Sequence, residues 1–188
     1  MNKKVIIITI GFFLAVLFLS TVGSFYTGYA VLGQKDITLK NFPYPFVKNN
    51  VPNGLYIVIP YDYTYNEFKA ANDLADSLKG MNVLPPSVIT PNYLPQGDHN
   101  LVLIGNPCNN KLISNELAIL DCDLSLKQGE GFIRLINHER TSTLIVSSFR
   151  PEDLVKPVII LTNYDFYPLM GKTITIDGEV GNLILNYH

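Results

Sequence analysis

The stretch GLYIVIPYDYTYNEFKAANDLADSLKG, residues 54–80, decides the fold class because it joins a strand pattern to a helix pattern. Its first part, GLYIVIP at 54–60, is short, β-branched and apolar at successive positions, which is typical of a strand buried on both faces. Thr64 and Glu67 then have the spacing of a capping box, and Gly80 is a suitable end for a helix. Apolar residues recur between them at helical spacing: Phe68, Ala71, Leu74, Ala75 and Leu78.

Two more apolar segments extend this pattern of strands and helices. NVLPPSVIT, residues 82–90, is strand-like, but its prolines confine it to an edge of a sheet. LVLIG, residues 101–105, predicts a second buried strand. Asn110 is placed to cap a short helix over residues 111–120, and the residues expected to face the core are Ile113, Leu117 and Leu120.

The C-terminal part of the sequence predicts antiparallel strands. Segments 131–136 and 143–148 flank the polar turn NHERT and indicate a hairpin. Pro151 fits the first turn of a helix, and Pro157 inside that helix predicts that it is kinked or short. TITIDGEVGNLILNY, residues 173–187, predicts two strands joined by a glycine-containing turn. Together these patterns predict an α/β fold, with a mixed β-sheet in a three-layer domain.

An uncharged apolar segment precedes this domain. VIIITIGFFLAVLFLSTV, residues 5–22, follows two lysines, and about 20 such residues cross a bilayer as a helix. The lysines should stay in the cytoplasm. We therefore interpret residues 1–32 as a single-pass transmembrane anchor, residues 33–53 as a proline-rich connector and residues 54–188 as an extracytoplasmic domain. The alternative is a signal peptide cleaved near Ala30, which would leave a secreted domain.

Composition and motifs exclude several classes of function. The 14 basic and 16 acidic residues give a net charge of -2, so no basic field is present to attract nucleic acid. The three histidines never pair at metal-binding spacing, and no Gly-x-Ser-x-Gly motif occurs. We therefore expect no enzyme, no metal and no cofactor. A calcium site at Asp98, Asp121 and Asp123 is the alternative, but calcium takes six or more oxygen ligands.

The turn IGNPCNN, residues 104–110, has three interpretations. A phosphate-binding loop would need more glycines and a Lys-Ser/Thr pair, and Pro107 removes a donor. A reactive thiol at Cys108 would gain acidity from the start of a helix, but the chain has no CxxC pair. A disulfide between Cys108 and Cys122 fits the oxidising exterior of a cell. We therefore interpret the turn as a corner of the scaffold held by this disulfide.

Several motifs of the chain resemble the archaeal S-layer protein family. They are IGNPCNN, the DC pair at 121–122 and the run GEGFIRLINHERTSTLIVSSFRPEDLVKPVIILTNYDFY at 129–167. In that family a Gly-Gly-Pro-x-x-Asn turn precedes a helix, a Gly-x-Ile-x-Leu strand follows, and a later helix ends in Leu-x-Asn-Tyr. The likeness covers roughly residues 41–172. It implies a cell-surface, mainly structural role and brings no catalytic residues.

Two functions are therefore expected. The resemblance implies a membrane-anchored structural or interaction module that contacts S-layer proteins, other envelope proteins or a copy of itself. The alternative is an extracytoplasmic receptor domain that binds a ligand with Asp62, Tyr63 and Asn106. These residues follow predicted strands, and open α/β sheets bind ligands at the carboxyl ends of their strands. A receptor should show a closed polar pocket there, and a structural module should show a filled edge and an exposed apolar patch.

Overall fold

A mixed sheet of seven strands lies at the centre of the structure, a computed structural model that describes residues 37–79, 84–120 and 124–188. The strands are β1 (Val47–Lys48), β2 (Val51–Pro52), β3 (Leu55–Val58), β4 (Ser87–Ile89), β5 (Asn100–Ile104), β6 (Gly131–Asn137), β7 (Ser142–Ser148), β8 (Thr173–Glu179) and β9 (Asn182–Tyr187). The α-helices are α1 (Tyr65–Ser77), α2 (Lys111–Leu117) and α3 (Val155–Thr162).

The strand order in the large sheet is β4-β3-β5-β7-β6-β8-β9, and β1 pairs separately with β2. Strands β4, β3, β5 and β7 run parallel to one another, whereas β6 pairs antiparallel with β7 and β8, and β8 pairs antiparallel with β9. The predicted α/β class and mixed sheet are thus confirmed, as are the hairpin β6–β7 and the C-terminal pair β8–β9. The edge strand predicted from residues 82–90 is also confirmed, because β4 (Ser87–Ile89) is the outermost strand on its side.

The parallel strands are apolar on both faces because both faces are covered. Ile57 belongs to one buried cluster and the next residue, Val58, belongs to a second cluster. The first cluster includes Leu74 of α1 and Leu161 of α3, whereas the second includes Ile113 of α2. Since successive side chains of a strand point to opposite faces, helices pack on both sides of the sheet.

Helix α1 begins at the predicted capping box. The Thr64 hydroxyl accepts from the Glu67 N–H at 3.3 Å, and the Glu67 carboxylate accepts from the Thr64 N–H at 2.7 Å. Ala71 and Leu74 are buried against the sheet as predicted. Phe68 does not belong to this buried face, because its ring lies exposed and stacks on Tyr63 with a centroid distance of 5.6 Å. Gly80, the predicted end, lies outside the described residues.

Helix α2 is shorter than predicted. Asn110 caps it and Ile113 is buried, in agreement with the sequence. The helix ends at Leu117, because Ala118 adopts a left-handed conformation with φ of 52°. The prediction that Leu120 faces the core is therefore wrong, since this side chain has left the helical register and is fully exposed.

Helix α3 is short, as Pro157 predicts. A 3₁₀ turn, Pro151–Leu154, precedes it, and α3 itself spans eight residues. Pro157 lies in its first turn, where the loss of one backbone N–H has the smallest effect. The proline packs on Gly131 of β6 so closely that a Cβ added there would lie 2.7 Å from its Cδ. A side chain at position 131 therefore has no space.

The described part of the predicted connector packs against the domain. Leu39, Phe42 and Phe46 belong to the first buried cluster, and the ring of Phe42 meets Tyr164 edge-on at 5.4 Å. The compact unit accordingly runs from Asp36 to His188. The predicted transmembrane helix, residues 1–32, lies outside the described residues. Within the part that is described, no helix has the length and apolarity needed to span a membrane.

Candidate ligand-binding edge of the sheet

The carboxyl ends of the parallel strands bring three loops to one edge of the sheet. Residues 59–64 follow β3, residues 90–93 follow β4, and residues 105–110 follow β5. These strands are neighbours in the order β4-β3-β5 and run in the same direction. Their loops must therefore meet above the same edge, where open α/β sheets bind ligands.

An open cleft of about 720 Å³ lies between these loops. It is lined by Tyr61, Asp62, Pro91, Asn92, Asn106, Cys108, Asn109 and Lys111. Two of the three predicted ligand residues, Asp62 and Asn106, thus lie in one cleft. Tyr63 does not line it, because its ring stacks on Phe68 instead.

The side chain of Asn106 and the glycine before it fix the conformation of the turn after β5. The Asn106 side-chain oxygen accepts from the N–H groups of Cys108 at 2.9 Å and Asn109 at 3.2 Å. Gly105 has φ of +117°, and a Cβ added there would lie 2.8 Å from Pro60 Cγ. Only glycine fits such a backbone and such a contact. These contacts hold the turn after β5 in one conformation, and the Asn106 oxygen occupies two of the N–H groups that a phosphate would need.

A buried carboxylate joins this corner to the start of α1. Glu67 is 1% exposed, and one of its oxygens accepts from Asn109 Nδ2 at 2.7 Å. Its other oxygen accepts from the N–H of Thr64 at 2.7 Å and from the Thr64 hydroxyl at 2.9 Å. A buried carboxylate is tolerated only when hydrogen bonds replace its hydration. The network thus fixes the loop after β3 against the loop after β5.

Asn110 links three elements through one fully buried side chain. Its Nδ2 donates to Ile104 O at 3.0 Å and to Val58 O at 3.2 Å, the last residues of β5 and β3. Its Oδ1 accepts from the Leu112 N–H at 3.2 Å and caps α2. An amide suits this position because it carries both donors and an acceptor.

Cys108 lies exposed at the rim of the cleft and is disulfide-bonded. Its predicted partner, Cys122, lies outside the described residues, so the pairing of these two residues stays a prediction. A bonded sulfur cannot act as a nucleophile, so the reactive-thiol interpretation loses its support.

The remaining groups of the cleft suit binding by hydrogen bonds and stacking. Asp62, Asn92 and Lys111 are exposed, and together they offer one carboxylate, one amide and one ammonium group. In the described ranges, no group of three or more His, Cys, Asp or Glu side chains is placed to hold a metal ion. Two of the alternative calcium ligands, Asp121 and Asp123, lie outside those ranges.

Exposed aromatic side chains surround this edge. They are Tyr61, Tyr63, Tyr65, Phe68, Tyr93 and Phe149, which follow β3, β4 and β7. The largest exposed fractions are 76% at Tyr65 and 77% at Tyr93. The tyrosines after β3 therefore lie at the surface and do not cover the sheet. Tyrosine combines a large apolar face with a polar hydroxyl, and it is enriched at binding surfaces.

A second groove, of about 430 Å³, lies between α1 and α3. Each of its charged groups already has an ion-pair partner: Lys69 pairs with Asp73 along α1, Asp76 pairs with Lys79, and Glu152 pairs with Arg150. The attraction of Asp73, chiefly through its hydrogen bond, raises the pKa of Lys69. The groove is thus less suited to a ligand than the cleft.

Sequence reasoning missed four residues that line the cleft: Pro91, Asn92, Asn109 and Lys111. The same rule that selected Asp62 would have found them, since they follow β4 and β5. No protein-family model matches the chain. A search of curated proteins likewise found no match.

Proposed function

We propose that this chain is a membrane-anchored structural and interaction module of the cell surface, resembling archaeal S-layer proteins and acting without catalysis. In this proposal, residues 1–32 anchor a three-layer domain outside the cell, and that domain binds an envelope protein through the edge around the cleft. The observation that carries the proposal is the set of exposed aromatic side chains on the loops and on the first turn of α1 at this one edge.

Physical chemistry supports an interaction surface here. Covering exposed aromatic rings lowers the free energy of the system, by about 25 cal/mol per Å² of apolar surface removed from water. Exposed aromatic residues that share one region are accordingly a mark of interaction sites. The rigid corner at residues 105–110 holds the loops in place before binding, which reduces the entropy lost when a partner docks.

Site-specific crosslinking in intact envelopes tests this surface. A photoreactive amino acid would replace Tyr61 or Tyr93, and a matched variant would carry it at Phe166, which is 85% exposed and follows α3 instead of a strand. We expect a crosslinked envelope protein from the two edge positions and none from position 166. Equal crosslinking from all three positions would contradict the proposal.

The membrane topology needs its own experiment. A reporter active only outside the cytoplasm should be active when it is fused after His188, and one active only in the cytoplasm should be silent. Activity of the cytoplasmic reporter would rule out the extracytoplasmic placement and, with it, the envelope role.

The polar groups that line the cleft favour a second candidate, a receptor domain for a small polar ligand such as a sugar or a peptide, although the cleft is open and not the closed pocket expected of a receptor. A ligand at 100 times its dissociation constant would stabilise the folded state by about 2.7 kcal/mol. Thermal unfolding with monosaccharides and short peptides therefore tests this candidate. A rise in melting temperature that disappears in Asp62→Ala, but not in the distant variant Glu179→Ala, would support it. If none of these compounds raises the melting temperature, the receptor candidate fails.

A further inference from the structure

Strand β9 forms one edge of the large sheet, and among the described residues it pairs with β8 alone. His188 donates its N–H to Thr173 O at 3.1 Å. Hydrogen-bonded pairs alternate along an antiparallel ladder, so the even-numbered residues of β9 bond to β8. The backbone N–H and C=O groups of Leu183, Leu185 and Tyr187 therefore point to the open side.

This edge lacks the features that usually protect an edge strand. Such strands are commonly short, charged, bulged or interrupted by proline. The opposite edge, β4, follows this rule, because it has three residues and lies between Pro86 and Pro91. Strand β9 has six residues, NLILNY, with no charged residue and no proline. It is thus open to pairing with another strand.

The sequence of β9 is self-complementary. NLILN, residues 182–186, reads the same in both directions about Ile184. When two copies pair antiparallel about Ile184, Leu183 of each copy faces Leu185 of the other copy. Asn182 of each copy likewise faces Asn186 of the other. Any two-fold interface pairs residue i of one copy with residue j of the other, and j with i. Because this segment is a palindrome, the two residues of each pair are also alike, so leucine meets leucine and asparagine meets asparagine. We propose that β9 pairs with β9 of a second copy of this chain, which joins the two sheets into one.

Main-chain and side-chain groups both agree with this register. The N–H and C=O groups of Leu183 and Leu185, which have no strand partner among the described residues, face each other across the axis, as the hydrogen-bonded pairs of an antiparallel ladder do. Their half-buried side chains pack on the first core cluster, so the pairing extends that cluster across the two copies. On the other face, Ile184 is 52% exposed and would be covered by its own copy.

Electrostatic repulsion does not oppose the pairing. Asp177 lies opposite Ile184 on β8, so the two copies of this carboxylate would be three strand spacings apart. That distance is about 14 Å. It exceeds the Debye length of about 8 Å at physiological ionic strength, so the two charges are largely screened from each other.

Disulfide trapping tests the register directly. In the proposed pairing the two copies of residue 184 form a non-hydrogen-bonded pair, with Cα atoms about 4.5 Å apart. This separation lies within the range of about 4.4–6.8 Å that a disulfide spans. Mild oxidation of full-length Ile184→Cys should therefore give a covalent dimer on a non-reducing gel. Asn182→Cys is the matched control, because its copies would lie about 13 Å apart along the strands.

The oligomeric state of the full chain in detergent provides a second measurement. Ile184→Lys would place two ammonium groups side by side on the axis, whereas Val180→Lys changes an exposed residue of the turn outside the palindrome. Light scattering coupled to size exclusion should show a dimer for the wild type and Val180→Lys, and a monomer for Ile184→Lys. Circular dichroism should be the same for all three. A monomeric wild type, a dimeric Ile184→Lys or equal trapping at positions 182 and 184 would overturn the proposal.

Discussion

Replacing Asn110 by aspartate separates the two roles of this buried side chain. Aspartate has the same shape, keeps the oxygen that accepts from the Leu112 N–H and caps helices as well as asparagine. It loses the amide group that donates to Val58 O and Ile104 O. Asn110→Asp therefore leaves the cap of α2 intact and breaks only the link between β3 and β5.

The expected loss of stability follows from the two carbonyl groups. A buried polar group left without its partner costs about 1–3 kcal/mol, so two of them cost about 2–6 kcal/mol. No cavity term is added, because the side-chain volume is unchanged. Burial beside two carbonyl oxygens also raises the pKa of the new carboxyl group. The loss should therefore be largest at neutral pH and should shrink as the pH falls, because a protonated carboxyl group can donate one bond.

Urea unfolding of a fragment that begins at Asp36 measures this effect. The chain contains no tryptophan, so far-UV circular dichroism is a suitable signal. Asn115→Asp is the matched control, because it makes the same change at an exposed position of the same helix. If Asn110→Asp lowers the free energy of unfolding by less than about 1 kcal/mol, or by no more than Asn115→Asp, the link between the strands is not what stabilises this corner.

Three further predictions concern other parts of the fold. Gly131→Ala should lower the free energy of unfolding by about 1–3 kcal/mol through its clash with Pro157, and Gly131→Ala combined with Pro157→Ala should recover part of the loss in urea titrations. Mass analysis of the unreduced protein should show Cys108 linked to Cys122, and Cys108→Ser with Cys122→Ser should cost about 3 kcal/mol for a loop of about 15 residues. Burial raises the pKa of Tyr187, so its contribution to stability is complete below the pKa of a free tyrosine and is lost as the pH rises through the higher folded value. Alkaline unfolding of Tyr187→Phe should lack this component.

The sequence predicts those elements of the fold whose signals are local. The capping box of Thr64 and Glu67 starts α1 because both partners lie within one turn of the chain. The turn at 180–181 likewise joins β8 and β9 in register without help from distant residues. Proline limits β4 to an edge for an equally local reason, the loss of a backbone donor.

The predictions fail where an unusual backbone conformation, or a contact between residues far apart in the sequence, determines the local structure. Helix α2 ends at Leu117 because Ala118 adopts a positive φ. This end could not be predicted, since glycine is the usual residue at such a position and alanine is not. Phe68 fits the apolar spacing of α1, yet it stacks on Tyr63 outside the core. The hydrogen bond between Glu67 and Asn109 joins residues 42 positions apart, so no local sequence pattern predicts it.

The candidate site was partly predictable because topology fixes where strand ends lie. Asp62 and Asn106 were selected by their positions after β3 and β5, and both line the cleft. The strand-end rule does not say in which direction a side chain points. Tyr63 therefore could not be separated from Tyr61, although only Tyr61 lines the cleft.

The residues at this edge fall into two groups: asparagines whose side chains are hydrogen-bonded within the domain, and side chains that lie exposed at the surface. The side-chain oxygen of Asn106 and the amide groups of Asn109 and Asn110 are already occupied within the scaffold. If the edge binds a partner as proposed, the exposed side chains such as Tyr61 and Lys111 are the ones left to recognise it. Substitution of the asparagines should consequently lower stability, whereas substitution of the exposed residues should weaken binding while the free energy of unfolding stays within about 0.5 kcal/mol. Under the proposed function, the corner at IGNPCNN therefore acts chiefly by holding the exposed binding residues in place.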